Sequence, residues 1–368
     1  MQSISEETIR NALTANGFLI RHLKKLSGGS NHFVFAAKML DDSELIIKFP
    51  RIRETELTFS EGNKDTLFGG KLSLEREAYL FDLIRNASLP SPKVFGIYPT
   101  AQGNCIVVER SPGCNLNDYM NNHSHSLDIF LDIMKNLGSD FRKLHKTRFT
   151  SFGNIMNNSE IEPSGIMNFA DRYLPINDML LKKCRTKGGI NDEEYTQLKL
   201  FFDSRFESFR TRLDIKQSPA TLVITDMHGD NFFVENNKSS GYFDVESSQA
   251  APLEFELYAL RFFVFNYYGI EEFKLAERAF WKSYTKGKSE YPDTETNDLI
   301  DFFSACRLLE IFQSYWGYVD GIRDSWGLRI KNILFDYINT GCIDYNSLGA
   351  IWRERDKQPL HANKTTPI

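Results

Sequence analysis

No stretch of this chain approaches the roughly eighteen apolar residues that a membrane-spanning helix requires, which excludes an ordinary transmembrane segment. There is no basic excess either. The 44 Lys and Arg are outnumbered by 49 Asp and Glu, for a net charge of −5, so no positive field is offered to nucleic acid or to an anionic membrane. Cysteine is sparse: the five residues, at 105, 114, 184, 306 and 342, have no CxxC spacing. An odd, scattered set excludes a disulfide frame and a cysteine zinc site, and reads as reduced thiols in the cytosol. The opening Met1-Gln2-Ser3-Ile4-Ser5-Glu6-Glu7 is too acidic and polar to read as a signal peptide. Internal repeats and long low-complexity segments are also missing. What remains is the composition of a globular protein, 41% hydrophobic and 25% charged over 368 residues, with ample length for a sizeable core.

The front third is patterned for strands. Ser3-Ile4-Ser5-Glu6 has the form of a capping box ahead of a short helix over Thr8 to Ala15. Strand-like runs follow over residues 18–48, broken by Ser27-Gly28-Gly29-Ser30-Asn31 and by the turn Asp41-Asp42-Ser43. Residues 51–70 read as a polar loop. Leu72 to Asn86 has helical periodicity, and 94–98 and 104–109 are two further strands. After Ser111-Pro112-Gly113 the pattern turns helical, with candidates at 127–146, 166–183, 192–213, 253–267, 271–285 and 295–317. One β island, 222–224 with 232–234 and 241–244, interrupts them. This order predicts an α+β, two-lobed chain: a β-rich lobe at 1–111, a helical lobe at 112–355 and a frayed tail at 356–368.

The chemistry concentrates in Ile224-Thr225-Asp226-Met227-His228-Gly229-Asp230-Asn231 and Gly241-Tyr242-Phe243-Asp244-Val245-Glu246. Asp226, Asn231 five residues on and Asp244 thirteen beyond that form a phosphoryl-transfer constellation. Asp226 is placed to orient or deprotonate an attacking hydroxyl, and Asn231 and Asp244 are oxygen ligands suited to Mg²⁺ on a nucleotide. Phe232-Phe233-Val234 and Gly241-Tyr242-Phe243 read as a hairpin around Asn236-Asn237-Lys238, which sets Asn231 beside Asp244. A competing register takes Asp230 as the base, but the residue five places on is then Glu235. Asp230 therefore reads as a turn residue.

In the front lobe, Gly28, Gly29 and Ser30 can present backbone N–H groups to phosphates. Lys48, on the strand Glu44-Leu45-Ile46-Ile47-Lys48-Phe49, can bridge two phosphates if a glutamate holds it. Glu77 on the following helix is the favoured partner, and Glu75, almost opposite on the helix, is its competitor.

Together, Gly29, Lys48, Glu77, Asp226, Asn231 and Asp244 resemble the protein-kinase-like fold, and more closely the aminoglycoside phosphotransferase group that includes choline and sugar kinases. Leu89-Pro90-Ser91-Pro92-Lys93-Val94, Val107-Val108-Glu109-Arg110-Ser111-Pro112-Gly113 and Leu144-His145 resemble that group too. The resemblance runs from about residue 20 to 265. It implies an ATP- or GTP-dependent, Mg²⁺-dependent kinase, with the backbones of Glu109 and Ser111 holding adenine. The chain departs from the group at Ile224-Thr225, where His-Gly is usual, at Val245-Glu246, where Phe-Gly is usual, and at Glu256, where an Asp is usual. The first of these puts the stiffness of the loop around Asp226 in doubt. The departures at 224–225 and 245–246 keep open a second reading, a nucleotide-binding module without catalysis.

Two lengths argue against a protein substrate. About eighty residues separate His145 from Asp226, room for a helical insert that in the resembling group helps to build an acceptor cleft. Asp244 is followed within ten residues by the helical pattern from Leu253, so a long activation segment has no place. The acceptor itself stays open among aminoglycosides, sugars and amino alcohols. Glu271, Glu272, Asp320 and Asp324 are candidates for an acidic wall, and Tyr315-Trp316-Gly317-Tyr318 with Trp326 for a stacking cluster. A solvated helix face and an ordinary core account for them as well.

Overall fold

The computed structural model describes residues 5–26, 32–50, 73–100, 103–316 and 322–357. The glycine segment with Gly28, Gly29 and Ser30 lies outside these residues, as does the loop at 51–70. Helix α1 (Glu6–Ala15) starts two residues earlier than expected, and its cap is Ser5, whose Oγ accepts the Thr8 N–H at 3.1 Å. Strands β1 (Ile20–Lys25), β2 (His32–Met39) and β3 (Glu44–Pro50), helix α2 (Leu74–Asn86), and strands β4 (Val94–Thr100) and β5 (Gly103–Glu109) complete the front lobe. The five strands form an antiparallel sheet in the order β1-β2-β3-β5-β4.

The two-residue period of β3 decides where its lysine goes. Leu45, Ile47 and Phe49 pack with Ile9 and Leu13 of α1 on one face. Ile46 and Lys48 then point to the other face, toward α2.

The remainder is mainly helical: α3 (Leu116–Asn122), α4 (Leu127–Leu144), α5 (Phe169–Thr186), α6 (Asp192–Ser208), α7 (Glu254–Ala259), α8 (Ile270–Tyr284), α9 (Thr294–Tyr315), α10 (Ile322–Thr340) and α11 (Tyr345–Lys357). The expected helices are present with shifted ends. Helix α7 runs on through a π turn, Leu260–Val264. Helices α3, α10 and α11 were not anticipated.

The β island is corrected. It divides into two sheets, because strand pairing follows tertiary contacts and not neighbourhood in sequence. The hairpin of β10 (Phe232–Glu235) and β11 (Lys238–Tyr242) pairs with β6 (Cys114–Asn115). Strand β9 (Thr221–Val223) pairs instead with β12 (Gln249–Ala251), which continues to β7 (Gly153–Ile155) and β8 (Ile161–Glu162). The expected turn is there: Asn236 and Asn237 have φ of 51° and 60°, the left-handed pair that matches hairpin twist.

Helices α4 and α8 pack closely at Gly138, where a Cβ would stand 2.2 Å from the Phe280 carbonyl oxygen. Among the described residues no helix is long and apolar enough to cross a membrane. All five cysteines are free thiols. Gly138→Ala should lower the unfolding free energy by about 1–3 kcal/mol, the usual cost of overpacking. Urea denaturation measures this, and an unchanged midpoint would mean that the helix pair yields without cost.

Candidate active site

The segment after β9 enters a buried setting. Ile224 is fully buried and its N–H donates to Glu256 Oε1 at 2.6 Å. The other carboxylate oxygen of Glu256 pairs with His145 Nε2, and His145 Nδ1 lies 2.8 Å from the Tyr284 hydroxyl. Burial pushes the Glu256 carboxyl up and His145 opposes it. Thr225 Oγ1 donates to the Ser247 carbonyl at 2.8 Å, and the Asp226 N–H donates to Ser247 Oγ at 3.2 Å. The two unusual residues before Asp226 are thus held from two sides, which answers the question of loop stiffness.

The carboxylate of Asp226 is about one-third exposed, and His228 Nε2 lies 3.9 Å from its Oδ2. Asn231 donates its amide nitrogen to the Asp226 carbonyl at 2.8 Å and to Oδ2 at 3.3 Å. Asp230 is more exposed, at 55%, and accepts a hydrogen bond from Asn117. Across the hairpin, the Phe243 N–H donates to the Asn231 carbonyl at 2.8 Å, so Asn231 and the start of the Asp244 turn are neighbours. Asp244 has left-handed backbone, with φ of 51°, and opens the 3-10 turn Val245–Ser247. Burial pushes its carboxyl up, and Glu246 adds to the effect.

The amide nitrogen of Asn231 is spent on Asp226, so the amide oxygen is what it can offer a cation. That oxygen and the crowded Asp244 carboxylate are donors of the hard-oxygen kind that Mg²⁺ takes, and a divalent charge would relieve the crowding.

Opposite stands the front-lobe pair. Lys48 is ion-paired with Glu77 and lies 3.3 Å from Glu246 Oε1. Burial works against the ammonium, but Glu246, Glu77 and Asp244 outweigh it and hold Lys48 well above the ordinary lysine range. Burial also pushes Glu77 up to about 8, with Lys48 opposing and Glu246 and Asp244 adding. Glu75, the competing partner, is exposed and accepts from Ser73 Oγ at 2.8 Å.

The hinge after β5 is tied to the hairpin. Ser240 Oγ donates to the Pro112 carbonyl at 2.6 Å, and Ser111 packs against Gly241, where a Cβ would lie 2.3 Å from Ser111 Oγ. A cavity of about 450 Å³ opens beside Glu44, Leu45, Glu109, Ser111 and Gly113. The Glu109 side chain is exposed, and its N–H is spent on the Lys93 carbonyl at 2.8 Å. A second cavity, of about 310 Å³, lies on α5 beside Pro163, Arg172 and Met179, away from Asp226.

Several residues at the site were not singled out from sequence. Arg307 of α9 has its Nη2 3.7 Å from Asp226 Oδ1 and its Nη1 2.5 Å from Glu310 Oε2. The π turn sets Phe263 beneath both Arg307, at 5.9 Å, and His228, at 6.3 Å. A readable signal existed: Arg307 and Glu310 are two charges three apart in the otherwise uncharged stretch 302–315 of α9. Of the proposed acidic wall, no described contact joins Glu271 or Glu272 to Asp226, and Asp320 lies outside the described residues. Trp326 is core, with its Nε1 donating to Glu354 at 3.3 Å, and Trp316 stacks edge-on against Phe312.

Arg76, also unforeseen, is buried beside Glu77 on α2. Its Nε donates to the Ile155 carbonyl at 2.6 Å, and its two terminal nitrogens donate to the carbonyls of Glu246 and Ser248. One guanidinium therefore fixes both flanks of Ser247, the residue that anchors Asp226. Arg76→Ala should cost about 3 kcal/mol or more in unfolding free energy, since it strands buried acceptors. Arg76→Lys should recover only part, because a single ammonium lacks the planar fork. Urea unfolding reads both, and a near-neutral Arg76→Ala would show that water replaces the guanidinium.

No family model matches the chain, and no curated protein matches it by sequence. Its fold has clear counterparts. Aminoglycoside phosphotransferase APH(4)-Ia superposes with a TM-score of 0.60 at 10% identity, over 92% of this chain and all of that one. ADP-bound aminoglycoside phosphotransferase APH(2'')-Ib gives 0.60 at 14% identity, over 94% and 99%. The ternary complex of streptomycin, ATP and APH(2'')-IIa gives 0.54 at 14% identity, over 91% and 97%. These likenesses carry the fold: the chain has the bilobal, kinase-like α+β architecture of the aminoglycoside phosphotransferases.

Proposed function

We propose that this protein is a kinase of a small hydroxylated molecule, dependent on ATP and Mg²⁺. The observation that carries the reading is convergence. Asp226, tethered by Asn231 and Ser247, faces the same cleft as Asp244 and the Lys48–Glu77 pair, which come from other elements. Residues 1–111 would then serve as the nucleotide lobe, with Gly28, Gly29, Ser30 and Lys48 on the phosphates and the backbones of Glu109 and Ser111 on adenine. Residues 112–355 would carry the catalytic loop and the acceptor site.

In this mechanism Asp226 accepts the hydrogen bond of the acceptor hydroxyl and takes its proton as the oxygen attacks the terminal phosphorus of ATP, whose bond to the bridging oxygen breaks and releases ADP. Asn231 fixes the rotamer of Asp226 through its amide nitrogen. Lys48, oriented by Glu77, neutralises phosphate oxygens. Mg²⁺ held by Asn231 and Asp244 would supply charge neutralisation at the phosphates. Arg307 and His228 flank the two carboxylate oxygens of Asp226 and so border the path of the acceptor.

The acceptor is a small molecule in this reading. Only the short turn and β12 separate Asp244 from α7, which leaves no platform for a peptide. The complexes of structural neighbours with nucleotide and an aminoglycoside support an acceptor of that kind among aminoglycosides, sugars and amino alcohols. The alternative of a non-catalytic nucleotide-binding module is weakened by the hydrogen bonds from Ile224 and Thr225 that keep the catalytic loop in place.

Screening purified protein with ATP, GTP and a panel of aminoglycosides, choline, amino alcohols and sugars tests the proposal. Turnover should require a divalent metal and cease with a chelator. Asp226→Ala should lower turnover by about 10²–10⁴ while nucleotide still binds. Asp230→Ala should retain substantial activity. Wild-type turnover by Asp226→Ala would remove Asp226 as the base, and metal-independent nucleotide binding without turnover would favour the module.

A further inference from the structure

We propose that His32, Glu77 and Glu246 form a site for a transition-metal cation of the Zn²⁺ or Co²⁺ class, separate from the magnesium position at Asn231 and Asp244. One ligand atom from each lies within 4.8 Å of the others, and all three residues are buried. His32 Nε2 is 3.2 Å from Glu246 Oε1. Three donors bound to one such ion at about 2.0–2.2 Å are spaced by roughly 3–4 Å, so small side-chain adjustments suffice.

A second observation points the same way. Glu77 is fully buried, and its Oε2 accepts no hydrogen bond among the described residues. A buried carboxylate oxygen left without a donor carries its full desolvation cost, which a coordinated cation removes. Charge counting agrees. Lys48 is the ammonium shared by Glu77 and Glu246. A magnesium ion at Asp244 would compensate that carboxylate and leave these two with one positive charge.

The donor set selects the metal. Mg²⁺ takes oxygen ligands and keeps much of its water, whereas imidazole nitrogen with carboxylates suits Zn²⁺, Co²⁺ and their neighbours. Three protein ligands leave a coordination position for water or a phosphate oxygen. The ligands come from β2, α2 and the turn after Asp244, so the ion cross-links the two lobes. The Glu246 backbone is already held by Arg76. The ion would also compete with Lys48 for Glu77 and Glu246. On the kinase reading given above, such displacement withdraws Lys48 from its orienting partner and inhibits turnover.

The test is a Co²⁺ titration of the full chain without nucleotide, followed by visible absorption, with Zn²⁺ calorimetry in parallel. One site per chain is expected, with no sulfur-to-cobalt charge-transfer band. Affinity should fall at least tenfold in His32→Gln and in Glu246→Gln, and persist in Asn231→Ala. Failure of the wild type to bind up to millimolar Co²⁺ overturns the proposal. So does binding unchanged in a His32→Gln variant that melts like the wild type, or a cysteine band. Binding requires no turnover, so the two readings fail separately. Cobalt bound as expected by a protein inert toward every acceptor supports the site and sinks the kinase, and turnover without a cobalt site does the reverse.

Discussion

The buried guanidinium of Arg76 is the contact on which the rest of the cleft depends. It bonds to carbonyls on two elements of the helical lobe, the strand at Ile155 and the turn at Glu246 and Ser248, from a helix that belongs to the front lobe. Ser247, between those carbonyls, receives the Asp226 N–H and the Thr225 hydroxyl. The next residue on the helix, Glu77, holds Lys48. Two adjacent residues on α2 therefore set the loop around Asp226 and the strand lysine Lys48 relative to one another. A buried arginine is expensive unless every donor finds an acceptor, and backbone carbonyls satisfy it without adding a second buried charge.

The electrostatics of the cleft describe a site built around cations. Glu77, Asp244 and Glu246 crowd one ammonium, and burial pushes the carboxyls of Glu77 and Asp244 up. On the proposed function, cations bound with the nucleotide would relieve this crowding. Around Asp226 the pattern differs: Arg307 is paired with Glu310 and stands 3.7 Å from Asp226.

The legible parts of the site were those set by local pattern. The hairpin that brings Asn231 to Asp244 follows from two short apolar strands around an Asn-Asn turn. The choice of Asp226 over Asp230 came from counting residues, and the structure places Asp230 in solvent beside Asn117. Lys48 and Glu77 met because strand alternation aims one at the helix and helical periodicity aims the other at the sheet. Less was legible where partners are distant. Strand β9 was grouped with the hairpin, yet it pairs with β12, because a three-residue strand has too little pattern to name its partner. Helices α10 and α11 were missed because they mix charged and aromatic residues without a clean stripe. Arg76 looked like one more charge in Leu74-Glu75-Arg76-Glu77, since nothing local distinguishes a buried arginine from a solvated one.

By itself, the sequence determined the chemistry available: a carboxylate, an amide and a second carboxylate at fixed spacings, and a strand lysine with a helix glutamate to meet it. Backbone geometry makes those relations local, so they can be read by counting. Only the tertiary structure decided how the departures from the usual motif are supported. Glu256 reaches from α7 to Ile224, Ser247 reaches to Thr225 and Asp226, and Arg76 reaches across to both flanks of Ser247. These contacts join residues up to 172 positions apart in the chain, and burial, not spacing, is what brings them together.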